Sequence, residues 1–238
     1  ALRRFVANAT WLCIGFAAVM TIAASVFCRD ILLFLRTPQN VFQYAYWYML
    51  IIFLGIPCTF LYNFLAALIR SLGDSRTPVV FLAISSVLNI VLDLVFILVF
   101  RWGVIGAALA TVLSQGISGV CCLFYVGRTF PILHGSRNEW KVQPRYMVRL
   151  CTIGIPMGLQ YSITAIGTLV IQAAVNGFGA TVMAGVTAAG RLGNFLSCPI
   201  EALGQTMAPY VGQNVGAGKL KRVSKGLKAA SVSYTHLT

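Results

Sequence analysis

Long runs of apolar residues, separated by short polar or glycine- and proline-containing segments, recur along the whole sequence. Six runs lie at about 5–27, 41–69, 79–100, 104–126, 150–175 and 180–211. Each has roughly twenty residues or more, and a helix of that length crosses a hydrocarbon layer of about 30 Å. No run alternates apolar and polar residues with a period of two, the pattern of a membrane-spanning β-strand. The sequence therefore predicts an all-α integral membrane protein with six transmembrane helices.

Glycine and proline mark where these helices end or break. Gly55 and Pro57 interrupt the second run, and the segment from Gly73 to Pro78 forms a polar turn before the third. Gly154 and Pro156 predict a break near the cytoplasmic end of the fifth run.

Composition excludes a soluble domain. Hydrophobic residues make up 58% of the 238 residues, charged residues only 10%, and the mean hydropathy is +0.83. Soluble proteins have about a quarter of their residues charged. The net charge of +13 would suggest nucleic acid in a soluble chain, but here the basic residues lie between the apolar runs. We therefore expect no nucleic-acid partner.

The basic residues also predict the orientation in the membrane. With a cytoplasmic N-terminus, the inner segments hold 14 Lys and Arg residues and the outer segments hold three. An excess of positive charge on the cytoplasmic side is the rule for membrane proteins. We expect a multi-pass protein of the inner cell membrane with the first residues of this chain in the cytoplasm.

Polar residues inside the third run are candidates for an ion site. Ser86, Asn89 and Asp93 follow one another at +3 and +4, so they share one face of a helix. An ionisable residue inside the bilayer is costly and therefore points to function. The alternative is a buried carboxylate that a neighbouring helix satisfies. We interpret the three as a proton or cation site, with Na⁺ possible at Asp93 and Asn89.

The fifth and sixth runs carry polar stripes of helical spacing, which predict the wall of a substrate cavity. Its candidate residues are Tyr161, Thr164, Thr168, Gln172, Arg191, Asn194, Glu201 and Gln205. A helix–helix interface joined by polar side chains is an equally good interpretation of the sixth run, whose stripe also includes Thr187 and Cys198. The small residues from Gly103 to Ser114 predict close helix packing.

The sequence holds no motif of an enzyme. Its two histidines, His134 and His236, lie outside the apolar runs, and neither a Walker loop nor a nucleophile or zinc motif appears. We expect no catalytic residues, no metal centre and no cofactor beyond a coupling ion.

Both ends of the sequence suggest part of a longer protein. It starts within five residues of a full-length apolar run, and residues 231–238 are expected to depart from the basic helix before them. These eight residues resemble translated adapter sequence.

Two ordered series of motifs resemble the multidrug and toxic compound extrusion (MATE) transporters. The first consists of Gly73-Asp-Ser-Arg-Thr-Pro78, Asn89-Ile-Val-Leu-Asp93 and Gly103-Val-Ile-Gly106 with the residues to Thr111. The second consists of Gly154-Ile-Pro156, the segment from Pro199 to Gly204 and the segment from Val211 to Gly218. The resemblance covers nearly everything from Ala1 to about Lys228.

The resemblance implies a twelve-helix antiporter of two six-helix lobes, of which this chain supplies helices three to eight. Residues 1–128 would be the last four helices of the N-terminal lobe, and 129–149 the cytoplasmic linker. Residues 150–218 would be the first two helices of the C-terminal lobe, and 219–238 a basic cytoplasmic segment with the doubtful tail. Asn89 and Asp93 match the polar pair of the family's N-lobe ion site.

The implied function is export of small organic compounds, cationic or amphipathic, in exchange for protons or sodium. The full-length protein is expected to act as a monomer surrounded by membrane lipid. Alternatives are a lipid-linked oligosaccharide flippase of the same architecture, or a membrane scaffold or receptor without transport. The linker from Gly135 to Pro144, including Asn138, is expected to be cytoplasmic and mobile because it is polar and contains proline and glycine.

Overall fold

The structure is a computed structural model that describes residues 2–34, 37, 39–133 and 139–237. Within these ranges the chain forms helices and turns and no β-strand, which confirms the all-α prediction. Contacts divide the chain into two compact units, Ala1–Cys151 and Thr152–Thr238. Each unit is described by itself.

The first unit contains most of the helices. They are α1 (Leu2–Val26), α2 (Cys28–Phe34), α3 (Gln39–Leu54), α4 (Ile56–Ser71), α5 (Arg76–Leu94), α6 (Gly103–Thr129) and the start of α7 (Pro144–Asn176). A π-helical turn at Val95–Val99 extends α5, and a 3-10 turn at Pro131–Leu133 follows α6.

The predicted interruption of the second apolar run is confirmed. Helices α3 and α4 meet at Gly55 with a bend of 41°, and Pro57 stands in the first turn of α4. Proline is tolerated there because the first turn of a helix has no intrahelical partner for its N–H groups.

Four helical segments in the described part of the chain are long and apolar enough to cross a membrane: α1, α5 with its π turn, α6 and most of α7. The bent pair of α3 and α4 would make a fifth span. Helix α8 (Ala180–Gly216), which contains the sixth predicted run, has 37 residues but is less apolar than these. Its polar stripe lowers its hydropathy.

The core of the first unit lies between α4 and α6. Ile69 and Cys122 are fully buried at its centre, and Tyr62, Leu65 and Val126 complete the contact. Each buried aliphatic side chain of this size contributes about 1.5–3 kcal/mol in water. In a membrane the gain comes from close packing instead, because lipid tails are as apolar as leucine.

Small residues on α6 permit that packing, as predicted. A Cβ atom on Gly106 would lie 2.8 Å from the Cβ of Phe96. On Gly119 it would lie 3.1 Å from Leu61 Cδ2. Ala110 and Ser114 are also buried. Helix α6 is therefore the central helix of this unit, in contact with α3, α4 and α5.

The described part of the linker is held against α1. The Asn8 side-chain oxygen accepts a 2.8 Å hydrogen bond from the backbone N–H of Gln143, and the Trp11 indole donates to the Trp140 carbonyl at 3.0 Å. Arg3 lies 3.5 Å from Glu139. Residues 139–143 therefore contact α1, and the Gln143 N–H supplies the donor for the buried Asn8 side-chain oxygen. The mobility of the linker stays a prediction. Residues 134–138, with His134 and Asn138, lie outside the described residues.

The second unit contains the rest of α7, then α8 and α9 (Leu220–Leu237). Helix α7 runs through Pro156 without the predicted break. A broken helix would expose more unpaired backbone groups to lipid than one proline does. A turn at Gly218, with φ of 70°, joins α8 to α9, and the Tyr210 hydroxyl donates to the Arg222 carbonyl at 2.9 Å.

The expectation that residues 231–238 depart from the preceding helix is wrong over 231–237. Helix α9 continues through these residues to Leu237. Ser231 and Thr235 each donate a hydrogen bond to the backbone carbonyl four residues earlier, as hydroxyls on a regular helix do.

Candidate functional site

Polar side chains of α5 face α6 at one level of the first unit. Ser85 is buried and donates to the Ser114 carbonyl at 3.2 Å, and the Asn89 amide donates to the Thr111 hydroxyl at 3.5 Å. Asp93 follows Asn89 by four residues, so its side chain lies on the same face of the helix. The predicted pair Asn89 and Asp93 therefore lies beside polar groups of α6.

Asp93 lacks a protein partner for one of its oxygens. Its Oδ1 atom is buried, and no hydrogen bond reaches it from the described residues. No Lys or Arg of the described residues forms an ion pair with it either. A buried carboxylate oxygen without a donor is costly inside a membrane, which makes Asp93 the candidate functional residue of this cluster.

The structure does not bring Ser86 into this cluster. Ser86 is exposed, and its hydroxyl donates to the Leu82 carbonyl of its own helix at 3.0 Å. The preceding residue, Ser85, is the serine that faces α6. The spacing of +4 and +4 from Ser85 through Asn89 to Asp93 could have predicted that Ser85 lies beside the pair. The spacing of +3 and +4 from Ser86 fits one face of a helix equally well, so the sequence did not distinguish the two serines.

A π-helical turn begins two residues after Asp93. The backbone N–H of Phe100 donates to the Val95 carbonyl at 3.1 Å, which is the i to i+5 bond of this geometry. Such turns are rare and are frequent at functional sites. Phe96, within this turn, packs directly against Gly106 of α6, so the π-helical turn is part of the contact between α5 and α6.

A second group of predicted residues shares a cleft in the second unit. Gln172 near the end of α7 and Thr187 and Arg191 on α8 line a cavity of about 410 Å³ with Met183, Ala184 and Ala188. Cavities of about 300–1,000 Å³ are typical of small-molecule sites. One residue of the α7 stripe and two of the α8 stripe thus line the same cleft.

The other cavity candidates are not gathered in the same cleft. Tyr161, Thr164, Thr168, Asn194, Glu201 and Gln205 are all exposed along α7 and α8. The hydroxyls of Thr164 and Thr168 each donate to the carbonyl four residues earlier, at 3.0 Å. Their grouping into one cavity stays a prediction.

A polar cluster that the sequence did not reveal lies at the turn between α4 and α5. The Asp74 carboxylate accepts hydrogen bonds from the backbone N–H groups of Arg76 and Thr77, at 3.1 and 3.0 Å, and from the Tyr125 hydroxyl at 2.8 Å. Hydrogen bonding, chiefly by Thr77, lowers the pKa of Asp74 to about 2. This explains the motif Gly73–Pro78 structurally, since Gly73 has a φ of 100° and Asp74 caps α5.

The acidic and sulfur-containing side chains do not form a metal centre in the part of the chain that the structure describes. No three of its His, Cys, Asp or Glu residues are grouped in a way that could hold a metal ion.

Comparison with known proteins agrees with the motifs. Residues 1–95 and 156–233 match the family described as MatE. The probable multidrug resistance protein YpnP of Bacillus subtilis is 39% identical over 222 residues, covering 92% of this chain and 48% of YpnP. The FAD transporter of Shewanella oneidensis is 24% identical over 221 residues, and the match covers 88% of this chain and 47% of that transporter. The chain thus spans about half the length of these relatives.

Solved structures share the fold. A MOP-superfamily transporter from Pyrococcus furiosus superposes with a TM-score of 0.84 at 19% identity, covering 95% of this chain and 51% of that one. This likeness confirms that the helices form about half of a twelve-helix transporter fold. The family members compared are transporters rather than enzymes.

Proposed function

Because the chain belongs to the MatE family, we propose that the full-length protein exports small organic compounds in exchange for protons or sodium. The observation that carries the proposal is the buried, unpartnered oxygen of Asp93 on a membrane helix. We further propose that the protein does this as a monomer in the inner cell membrane, with the orientation that the basic residues predict.

The coupling step is assigned to Asp93 with Asn89. Since the Asn89 amide nitrogen donates to Thr111, the amide oxygen is the atom left to face a cation. A proton on Asp93, or a sodium ion between the two side chains, would remove the cost of the unpaired carboxylate oxygen. Alternation between the loaded and the empty state as the protein faces each side of the membrane gives antiport.

Substrate contact is assigned to the α7–α8 cleft. Three apolar residues and the polar side chains of Gln172, Thr187 and Arg191 line it, a mixture that suits an amphipathic molecule. Arg191 disfavours a cationic group placed directly beside it. A cationic substrate would have to place its charge further along α8, towards Glu201.

Gradient-driven dye transport tests the coupling assignment. Inverted membrane vesicles containing the full-length protein should accumulate a fluorescent cationic dye when a proton or sodium gradient is imposed. Asp93→Asn keeps the volume of the side chain and removes its charge, so accumulation should fall at least tenfold at unchanged membrane abundance. Asp30→Asn is the matched control, because Asp30 is exposed outside the long helices and should not affect transport.

Three results would contradict the proposal. Normal coupled transport by Asp93→Asn at normal abundance would show that Asp93 only has a structural role. Dependence on ATP hydrolysis would exclude a secondary transporter. Movement of a lipid-linked sugar without transport of any dye would favour the flippase alternative.

A further inference from the structure

The starts of α1 and α7 form a basic cleft that transport, as proposed above, does not use. Phe5, Arg145, Tyr146 and Arg149 line a cavity of about 220 Å³. The rings of Phe5 and Tyr146 meet edge to face with centroids 4.7 Å apart. The Arg149 guanidinium lies 5.8 Å from the centre of the Phe5 ring.

The positive charge in this cleft is not neutralised by the protein. Glu139 pairs with Arg3 at 3.5 Å, and the four other acidic residues are Asp30, Asp74, Asp93 and Glu201. None of the five, all within the described residues, forms an ion pair with Arg145 or Arg149. Two guanidinium groups one helical turn apart are thus left without a counter-charge, and Arg4 precedes Phe5 on the facing helix.

We propose that this cleft binds the phosphate of an anionic membrane phospholipid. Arginine side chains hold phosphate with two parallel hydrogen bonds, and two arginines at i and i+4 can grip one phosphate group. The cavity is smaller than the roughly 300 Å³ at which sites for drug-sized ligands begin, so it fits a headgroup rather than a whole organic substrate.

The surroundings favour a lipid phosphate over a free anion. Helix α1 and most of α7 are apolar enough to span the membrane, and the cleft lies where both begin. Aromatic rings such as those of Phe5 and Tyr146 give the glycerol part of a lipid an apolar wall. The distribution of Lys and Arg predicts the cytoplasmic side for this end. Anionic lipids are enriched there, and basic clefts between membrane helices bind their headgroups.

The bound lipid would join the linker to the membrane. Arg145 and Arg149 stand at the start of α7, directly after residues 139–143, which the hydrogen bonds of Asn8 and Trp11 hold against α1. A phosphate gripped by α7 against Phe5 of α1 would strengthen that same contact. The inference is independent of the coupling site and of the substrate.

Lipid retention tests this site. The full chain is purified in a neutral detergent from membranes containing phosphatidylglycerol, and the lipid that remains bound is extracted and quantified by mass spectrometry. Arg145→Gln with Arg149→Gln should reduce retained phosphatidylglycerol at least threefold. Arg29→Gln with Arg101→Gln removes the same charge from exposed positions in segments predicted to lie on the other side of the membrane, and it should retain the normal amount.

A thermal-shift measurement distinguishes a lipid from a free anion. Micelles supplemented with phosphatidylglycerol should raise the melting temperature of the unmodified chain, whereas phosphatidylcholine and inorganic phosphate should not. The double variant at Arg145 and Arg149 should show no such rise. If that variant does not fold, Arg145→Gln alone replaces it, because the Arg145 side chain is exposed.

The proposal would be overturned by equal lipid retention in the two double variants. An equal rise in melting temperature with inorganic phosphate would also overturn it, because the cleft would then be a site for a soluble anion. A rise with phosphatidylcholine as large as that with phosphatidylglycerol would overturn it as well, because the effect would then not depend on the negative charge of the lipid.

Discussion

The hydroxyl of Tyr125 on α6 donates a 2.8 Å hydrogen bond to the carboxylate of Asp74, which lies 51 residues earlier in the turn between α4 and α5. The same carboxylate holds the first two N–H groups of α5. One side chain therefore caps α5 and attaches the turn to α6. Since α5 carries Asp93, this contact helps to set the position of the proposed coupling helix.

Removal of the Tyr125 hydroxyl should loosen that attachment. Tyr125→Phe removes the bond to Asp74 and also the 3.2 Å bond that the Thr77 hydroxyl donates to Tyr125, but it leaves Asp74 with its backbone partners. We expect a loss of about 1–3 kcal/mol, because one of the two bonds is made to a charged group. The measurement is thermal unfolding in detergent micelles, compared with Tyr44→Phe, whose ring is exposed. An equal effect of the two variants would show that the bond to Asp74 contributes nothing.

Acid should remove the contribution of Asp74 in a defined pH range. Its pKa is lowered in the folded protein from an ordinary 3.8 to about 2, so its stabilisation is complete above about pH 4 and is lost as pH falls towards 2. The melting temperature of Asp74→Asn should be below that of the unmodified chain at pH 6. The gap should narrow between pH 4 and pH 2.5, and a constant gap would contradict the assignment.

A side chain larger than hydrogen at Gly106 should destabilise the packing of α6 against Phe96. Gly106→Ala places a methyl group 2.8 Å from Phe96 Cβ, with the Phe96 backbone at 3.3 Å, so the helices must separate. We expect a destabilisation of about 1–3 kcal/mol. Gly127→Ala on the same helix is the control, because nothing lies within 4 Å of the added atom. That variant should unfold at or slightly above the normal temperature, since alanine favours helix.

The orientation can be measured by cysteine labelling. In a variant without its seven native cysteines, Lys141→Cys should react with a membrane-impermeant thiol reagent only after the cells are opened. Lys141 is exposed in the described part of the linker, so access is not blocked by the fold. Arg29→Cys, in the segment predicted to face outwards, should react in intact cells. The reverse pattern would invert the predicted topology.

The features that the sequence alone determined are those with local causes. Apolar runs long enough to cross a bilayer predicted α1, α5, α6 and α7, and Gly55 with Pro57 predicted the bend between α3 and α4. Small residues near Gly106 predicted close packing, because that depends on the size of the side chains on one helix face. The ordered motifs were sufficient for the family, which residues 1–95 and 156–233 confirm.

Tertiary structure decided what depends on partners distant in sequence. Whether Ser85 or Ser86 faces the coupling pair depends on the rotation of α5 against α6, and both residues fit a helical stripe. The contact between α1 and the linker depends on the hydrogen bond between Asn8 and Gln143, which are 135 residues apart. The composition of the linker does not reveal that contact. Helix α7 continues through Pro156, although proline disfavours a helix in its interior. In the first two cases the free energy of a nonlocal contact outweighs the local preference that the sequence displays. At Pro156 the reason is local, because a continuous helix leaves fewer backbone groups unpaired than a broken one.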